Sequence, residues 1–124
     1  MKIAFFGTPE NAAIILEKLI GTKFEPSLVV TSADVQKGRG QKLSSSPVKE
    51  IAEKNHVRVL EPQDLLDKNF VNVFSDFSPD IAILIAYGKL IPPKVLKIPK
   101  AGFINIHPSL LPKYRGPSPI QSSI

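Results

Sequence analysis

The chain predicts an α/β fold built on a doubly wound, mostly parallel sheet. Three observations carry that prediction. Short aliphatic runs alternate with segments of helical periodicity, the pattern of strands joined through covering helices. The run Ile81–Ile85 is continuously aliphatic, as expected for a strand covered on both faces. With 124 residues, 43% of them apolar and 22% charged, the chain has the size and composition of a single globular domain with one core.

Each element follows from local pattern. Lys2–Phe6 reads as a buried strand, and Gly7-Thr8-Pro9-Glu10 as the turn that leaves it. Asn11–Ile20 carries Ala12, Leu16, Leu19 and Ile20 at helical spacing, and Gly21 supplies a stop. Ser27–Thr31 is a second short strand. Ser32–Ser46 is polar, basic and glycine-containing, and reads as a long loop. Ser46-Pro47 has the form of an N-cap followed by proline at the first helical position, opening a helix to about Asn55. A short strand at Val57–Leu60 and a helix over Asp64–Phe77 come next, and Pro79-Asp80 punctuates them before Ile81–Ile85. Ala86-Tyr87-Gly88 leaves that strand, Pro92–Pro99 forms a turn or short helix, and Gly102–His107 is the last strand. In such sheets ligands bind outside the carboxyl ends of the strands. Gly7, Ser32, Ala86 and His107 all fall at those ends, so four loops are expected to meet on one edge. Ser118–Ile124 has the look of a helix cut within its first turns, which suggests a sheet incomplete at its C-terminal side.

Composition narrows the function classes. No apolar stretch approaches the ~20 residues of a membrane helix, so no membrane association is expected. Met1–Gly7 lacks the apolar h-region and cleavage site of a secretory signal. The absence of Cys excludes disulfides and thiolate catalysis, and two His without a thiol argue against a structural zinc site. A net charge of +5 fits either a solvated lysine-rich surface or attraction to a polyanion. Its distribution leans toward the second, because Lys37, Arg39 and Lys42 crowd one loop while Lys113 and Arg115 follow the last strand.

That last strand holds the candidate chemistry. In Phe103-Ile104-Asn105-Ile106-His107 the two-residue period places Phe103, Asn105 and His107 on one face and the isoleucines on the other. Asn105 and His107 would then lie roughly 7 Å apart along the strand and face the same space. A side-chain amide can hydrogen-bond a developing oxyanion, and an imidazole beside it can move or stabilise a proton, which together suit acyl transfer. Taken alone, such a pair more often serves to satisfy neighbouring backbone groups. The following segment strengthens the functional reading: Pro108, Pro112 and Pro117, accompanied by Gly116, are expected to stiffen a loop whose amides could receive a ligand.

The block Asn105-Ile106-His107-Pro108-Ser109-Leu110-Leu111-Pro112-Lys113-Tyr114-Arg115-Gly116, continued by Pro117-Ser118-Pro119-Ile120-Gln121, resembles the signature of the 10-formyltetrahydrofolate-dependent formyltransferases. Three further stretches resemble the branch of that family acting on methionyl-tRNA. Gly7-Thr8-Pro9-Glu10 is similar to its first loop. Gly38–Leu43 with Ser46-Pro47-Val48-Lys49 is similar to its RNA-contacting loop. Ala86-Tyr87-Gly88 with Ile91-Pro92 is similar to its folate-side strand exit. Asn11 departs from the pattern, where that branch has an aromatic residue.

The resemblance implies a Rossmann-like formyltransferase fold in a cytoplasmic enzyme, monomeric when full length. The chain would be the N-terminal part of its catalytic domain, a single domain over residues 1–124. The implied reaction is formyl transfer from 10-formyltetrahydrofolate to the α-amino group of initiator methionyl-tRNA, with no metal. Asn105 would polarise the formyl carbonyl and stabilise the oxyanion, and His107 would assist proton movement. Ser109, Leu110, Leu111 and Pro112 would line the tetrahydrofolate site, with Ala86, Tyr87 and Gly88 as the other wall. Arg39 and Lys42 would meet the RNA, and Thr8 and Pro9 would shape the amino-acid end of the acceptor site. The family's third catalytic residue, an Asp, lies beyond Ile124; Asp76 and Asp80 precede the site strand and do not match it. The fragment by itself is therefore expected to be poorly active or inactive.

Two rival readings stay open. One is a folate-dependent formyltransferase or formyl-folate hydrolase acting on a small molecule. Within it, a phosphoribosylglycinamide-type acceptor is disfavoured, since a lone Gly7 followed by Pro and Glu is a poor nest for an anion. The other is a non-catalytic protein, either an RNA-binding module or a truncation product retained only as a scaffold.

Overall fold

The structure is a computed structural model that describes residues 1–32, 35–37 and 42–107, with backbone alone at 35–37 and 42–44. Five strands form one parallel sheet: β1 (Ile3–Gly7), β2 (Leu28–Val30), β5 (Arg58–Leu60), β6 (Ile81–Ile85) and β7 (Phe103–Asn105). Their order is β5-β2-β1-β6-β7. Every neighbouring pair is parallel, with Phe5 opposite both Val29 and Ile83 at the centre. The chain reverses its direction of travel across the sheet between β1 and β6, which makes that junction the topological switch point where doubly wound folds hold ligands.

Helices cover both faces. Helix α1 (Glu10–Leu19) and helix α2 (Pro47–Lys54) lie on one side, where Ala12, Leu16, Val48 and Ala52 pack with Phe5, Val29 and Ile85. Helix α3 (Lys68–Phe77) and the short α4 (Pro93–Leu96) cover the other, where Phe70, Phe74 and Val95 pack with Ala4, Phe6, Leu28 and Val30. The alternation Ala4/Phe6 against Phe5 is thus the two-residue strand period feeding two cores. Fully buried Phe5 and Phe6 each contribute on the order of 2–3 kcal/mol by leaving water. Phe6 is the hub of the second core, with ring centroids 5.4 Å from Phe74, 5.5 Å from Tyr87 and 5.0 Å from Phe103. Those edge-on contacts fix β7 and the exit from β6 against β1.

Local rules explain the boundaries. The Ser46 hydroxyl accepts the Lys49 backbone N–H at 3.0 Å, and Pro47 occupies the first helical position. Gly7 is a glycine through close approach: a Cβ there would lie 2.8 Å from the Ile85 carbonyl oxygen and 2.9 Å from the Ala12 Cβ. At the amino end of the sheet Asp80 accepts the Lys2 backbone N–H at 2.6 Å, tying the starts of β1 and β6 together. That hydrogen bond holds the Asp80 carboxyl below its usual range.

Two expectations are corrected. The segment read as a loop over 32–46 contains an antiparallel strand pair, β3 (Val35–Lys37) with β4 (Lys42–Ser44). The helix expected from Asp64 begins at Lys68, because Asp67 is its cap and accepts the Phe70 N–H at 3.1 Å. Asp64 instead closes a turn by accepting the Leu66 N–H at 2.9 Å. No helix among the described residues is long and apolar enough to cross a membrane.

Candidate active site

Asn105 ends β7 opposite Leu84, and the Ile106 N–H continues the ladder to the Leu84 carbonyl at 2.9 Å. Phe103 packs into the Phe6 core and Ile106 into the opposite one, so strand alternation turns Asn105 toward the Phe103 side. Asn105 and His107 line one cavity of about 460 Å³ together with Leu84, Ala86, Tyr87 and Gly88. Asn105 is exposed and His107 half-buried. Among the described residues neither side chain has a hydrogen-bond partner. A polar pair without a partner among the described residues, on the lining of a mostly apolar cavity, has the hydrogen-bonding capacity a ligand would use.

The wall opposite is the turn leaving β6. Ala86 has φ +48° and Gly88 φ +94°, so two left-handed residues flank Tyr87 and send the chain sharply off the strand. The Tyr87 ring enters the core and is 2% exposed. Its hydroxyl has no hydrogen-bond partner among the described residues, and burial pushes the phenol up to about 12. It therefore stays protonated near neutrality and is no acid–base candidate. The Tyr87 carbonyl accepts from the hydroxyls of Thr8 at 3.2 Å and Ser32 at 3.4 Å. Lys89 and Leu90 complete the rim, and Leu90 is 95% exposed.

The expected residues are distributed as follows. Asn105, His107, Ala86, Tyr87 and Gly88 share the cavity. Thr8 stands at the end of β1 and turns its hydroxyl toward Ser32 and Tyr87, while Pro9 caps α1 by accepting the Ala13 N–H at 3.0 Å. Arg39 and the block Ser109, Leu110, Leu111 and Pro112 lie outside the described residues, and Lys42 opens β4, where only the backbone is described. The loops ending β1, β2 and β6 meet through Thr8, Ser32 and Tyr87, as the strand ends imply. Sequence reasoning named Ser46 as a helix cap and Ser32 as a strand end but passed over Thr31 and the hydrogen bonds that link the three hydroxyls to Thr8. Among the described residues no cluster of His, Asp or Glu is arranged as metal ligands.

Comparison with known proteins agrees with this architecture. The family described as formyl transferase matches residues 1–124. The chain belongs to that family. Relatives named methionyl-tRNA formyltransferase include one from Clostridioides difficile, 48% identical over 120 residues, which cover 97% of this chain and 39% of the relative. Another, from Thermotoga maritima, is 49% identical over 121 residues, covering 98% of this chain and 39% of the relative. The chain thus spans about two fifths of the length of the curated relatives it matches. Among solved structures, a phosphoribosylglycinamide formyltransferase from Anaplasma phagocytophilum superposes with a TM-score of 0.64 at 19% identity, covering 98% of this chain and 56% of the other. One from Streptococcus pneumoniae superposes with a TM-score of 0.60 at 22% identity, covering 98% and 64%. At such identity the likeness bears on the fold.

Proposed function

We propose that this chain is the N-terminal part of the catalytic domain of a cytoplasmic enzyme that transfers a formyl group from 10-formyltetrahydrofolate to the α-amino group of methionyl-initiator tRNA. The single observation that carries the reading is the convergence of Asn105, His107 and the Ala86–Gly88 turn on one cavity at the carboxyl edge of the sheet. Its volume falls within the roughly 300–1,000 Å³ typical of small-molecule sites, and its apolar lining with one exposed amide suits a flat heterocycle carrying a polar one-carbon unit. The choice of acceptor draws its support from the relatives' identity of nearly one half and from the basic segment that holds Lys37, Arg39 and Lys42.

The donor supplies a carbonyl at the formyl oxidation level, bonded to nitrogen. As the acceptor amine adds to that carbon, the Asn105 amide donates to the oxygen that gains negative charge. His107, on the same side of the cavity, accepts the proton lost by the amine and returns one to the departing nitrogen. Ser109, Leu110, Leu111 and Pro112 complete the folate site in this reading, and Arg39 and Lys42 hold RNA phosphates. No metal takes part, and the full-length protein acts as a monomer.

The test is a formyl-transfer assay on the full-length polypeptide containing this sequence, with methionyl-initiator tRNA, a phosphorylated amine and an amino sugar offered in turn. Transfer to the tRNA at a rate at least a hundredfold above the others supports the reading. A preference for either small amine overturns the acceptor assignment, and no transfer to any of them overturns the reaction.

A further inference from the structure

A cluster of four hydroxyl groups lies beside the cavity and takes no part in the chemistry derived above. The Thr31 and Ser46 hydroxyl oxygens are 2.8 Å apart, with Thr31 fully buried and Ser46 8% exposed. Ser46 also accepts the Lys49 N–H of α2 at 3.0 Å. The Thr31 hydroxyl lies 3.5 Å from that of Thr8, and the Ser32 N–H donates to Thr8 at 3.3 Å. Thr8 in turn contacts the Ser32 hydroxyl at 3.2 Å and the Tyr87 carbonyl at 3.2 Å. Hydrogen bonds therefore run from the N-terminus of α2 through the ends of β2 and β1 to the turn that walls the cavity. Such linked bonds polarise one another in a medium of low dielectric.

The turn needs an anchor. Ala86 is a non-glycine residue at φ +48°, a conformation that persists only where its surroundings hold it. Tyr87 presents its ring to the core and its carbonyl to Thr8 and Ser32, so both of its ends are fixed. The geometry points to Thr8 and Ser32 as positioning residues for the folate side of the cavity: their hydroxyls hold the Tyr87 carbonyl and thereby keep Ala86 and Gly88 in place as a wall. Ser32 and Ser46 also flank the segment carrying β3 and β4, so the same cluster ties the footing of that basic strand pair to the wall. This assignment rests on the folate reading of the cavity but moves Thr8 from contacting the acceptor to shaping the donor site.

The experiment compares Thr8→Val, Thr8→Ser and Ser32→Ala in the full-length polypeptide, with Asn105→Ala and the core variant Leu16→Ala as references. Thr8→Val keeps shape and removes the hydroxyl. It is expected to raise the KM for 10-formyltetrahydrofolate about tenfold, the worth of one or two neutral hydrogen bonds, with a smaller change in kcat. Ser32→Ala is expected to raise it about threefold, since its bond to the carbonyl is longer. Thr8→Ser restores the hydroxyl and is expected to behave as the parent. Leu16→Ala, buried on the opposite face, lowers the Tm without moving this KM. If Thr8→Val does not fold, Ser32→Ala carries the test on its own. A donor KM unchanged in the valine and alanine variants, a serine variant as impaired as the valine one, or a loss confined to kcat or to the acceptor KM would each overturn the positioning role. Those results leave the reaction standing so long as Asn105→Ala lowers the rate of transfer at least about a hundredfold. Full transfer by Asn105→Ala defeats the underlying reading instead.

Discussion

The two sides of the switch point treat polar side chains in opposite ways. Around the ends of β1 and β2, Thr8, Thr31, Ser32 and Ser46 are engaged with one another and with backbone groups. Around the ends of β6 and β7, Asn105 and His107 face a cavity with no hydrogen-bond partner among the described residues. Burying a polar group without a partner costs stability, whereas an exposed or half-buried group can bond water until a ligand replaces it. The first set holds the frame, and the proposed function gives the second the chemistry on what binds within it. Substitutions in the first set are expected to appear as stability and positioning effects, and those in the second as rate effects.

The largest expected effect would break this comparison if it failed. His107→Ala in the full-length polypeptide should lower kcat by roughly a hundredfold to ten-thousandfold, the usual worth of a positioned acid–base group, while Tm stays near that of the parent. A Tm loss matching the activity loss would instead move His107 into the frame. Gly7→Ala should destabilise by about 1–3 kcal/mol in denaturant titration, because the added methyl meets the Ile85 carbonyl and the Ala12 side chain. Thr31→Val should cost about 1–2 kcal/mol by the same measurement, since it replaces a buried hydroxyl bonded to Ser46 with an isosteric methyl.

The smallest effect sharpens the contrast at Tyr87, which belongs to both regions. Its phenol is raised to about 12 from the usual 10, so the folded protein holds that proton more tightly than the unfolded chain. The associated stability is complete below pH 10 and is lost as pH rises toward 12. Tyr87→Phe should lack that alkaline arm. Near neutrality it should be neutral or stabilising by up to about 1 kcal/mol, because it removes a buried hydroxyl with no partner among the described residues. Unfolding curves collected from pH 8 to 11.5 on both proteins would check this.

Much of this frame was legible in the sequence because it is encoded locally. Three of the parallel strands, β1, β2 and β6, stand out as apolar runs, β7 by its alternation and β5 only faintly because Arg58 interrupts it, while Ser46-Pro47 marks a helix start. The alternation through Phe103, Asn105 and Ile106 gave the face of the candidate pair before any fold was known. What escaped was either short or non-local. Val35–Lys37 and Lys42–Ser44 are three residues each, too brief for a two-residue period to emerge from a polar stretch. Asp64 and Asp67 both carry the chemistry of a cap, and the choice of Asp67 depends on Phe70 and Phe74 docking on Phe6. The hydroxyl cluster is assembled from three separate segments, so nothing in any one of them foretells that Thr8 meets the Tyr87 carbonyl.

The most direct measurement is the single-turnover rate of formyl transfer by full-length Asn105→Ala, with donor and acceptor saturating and Tm recorded on the same sample. A rate at least a hundredfold below the parent at an unchanged Tm is the expected result, since removing one oxyanion donor costs about 10²–10³ in rate. A parental rate, or a loss explained entirely by unfolding, would contradict the assignment of the β7 pair to the chemistry.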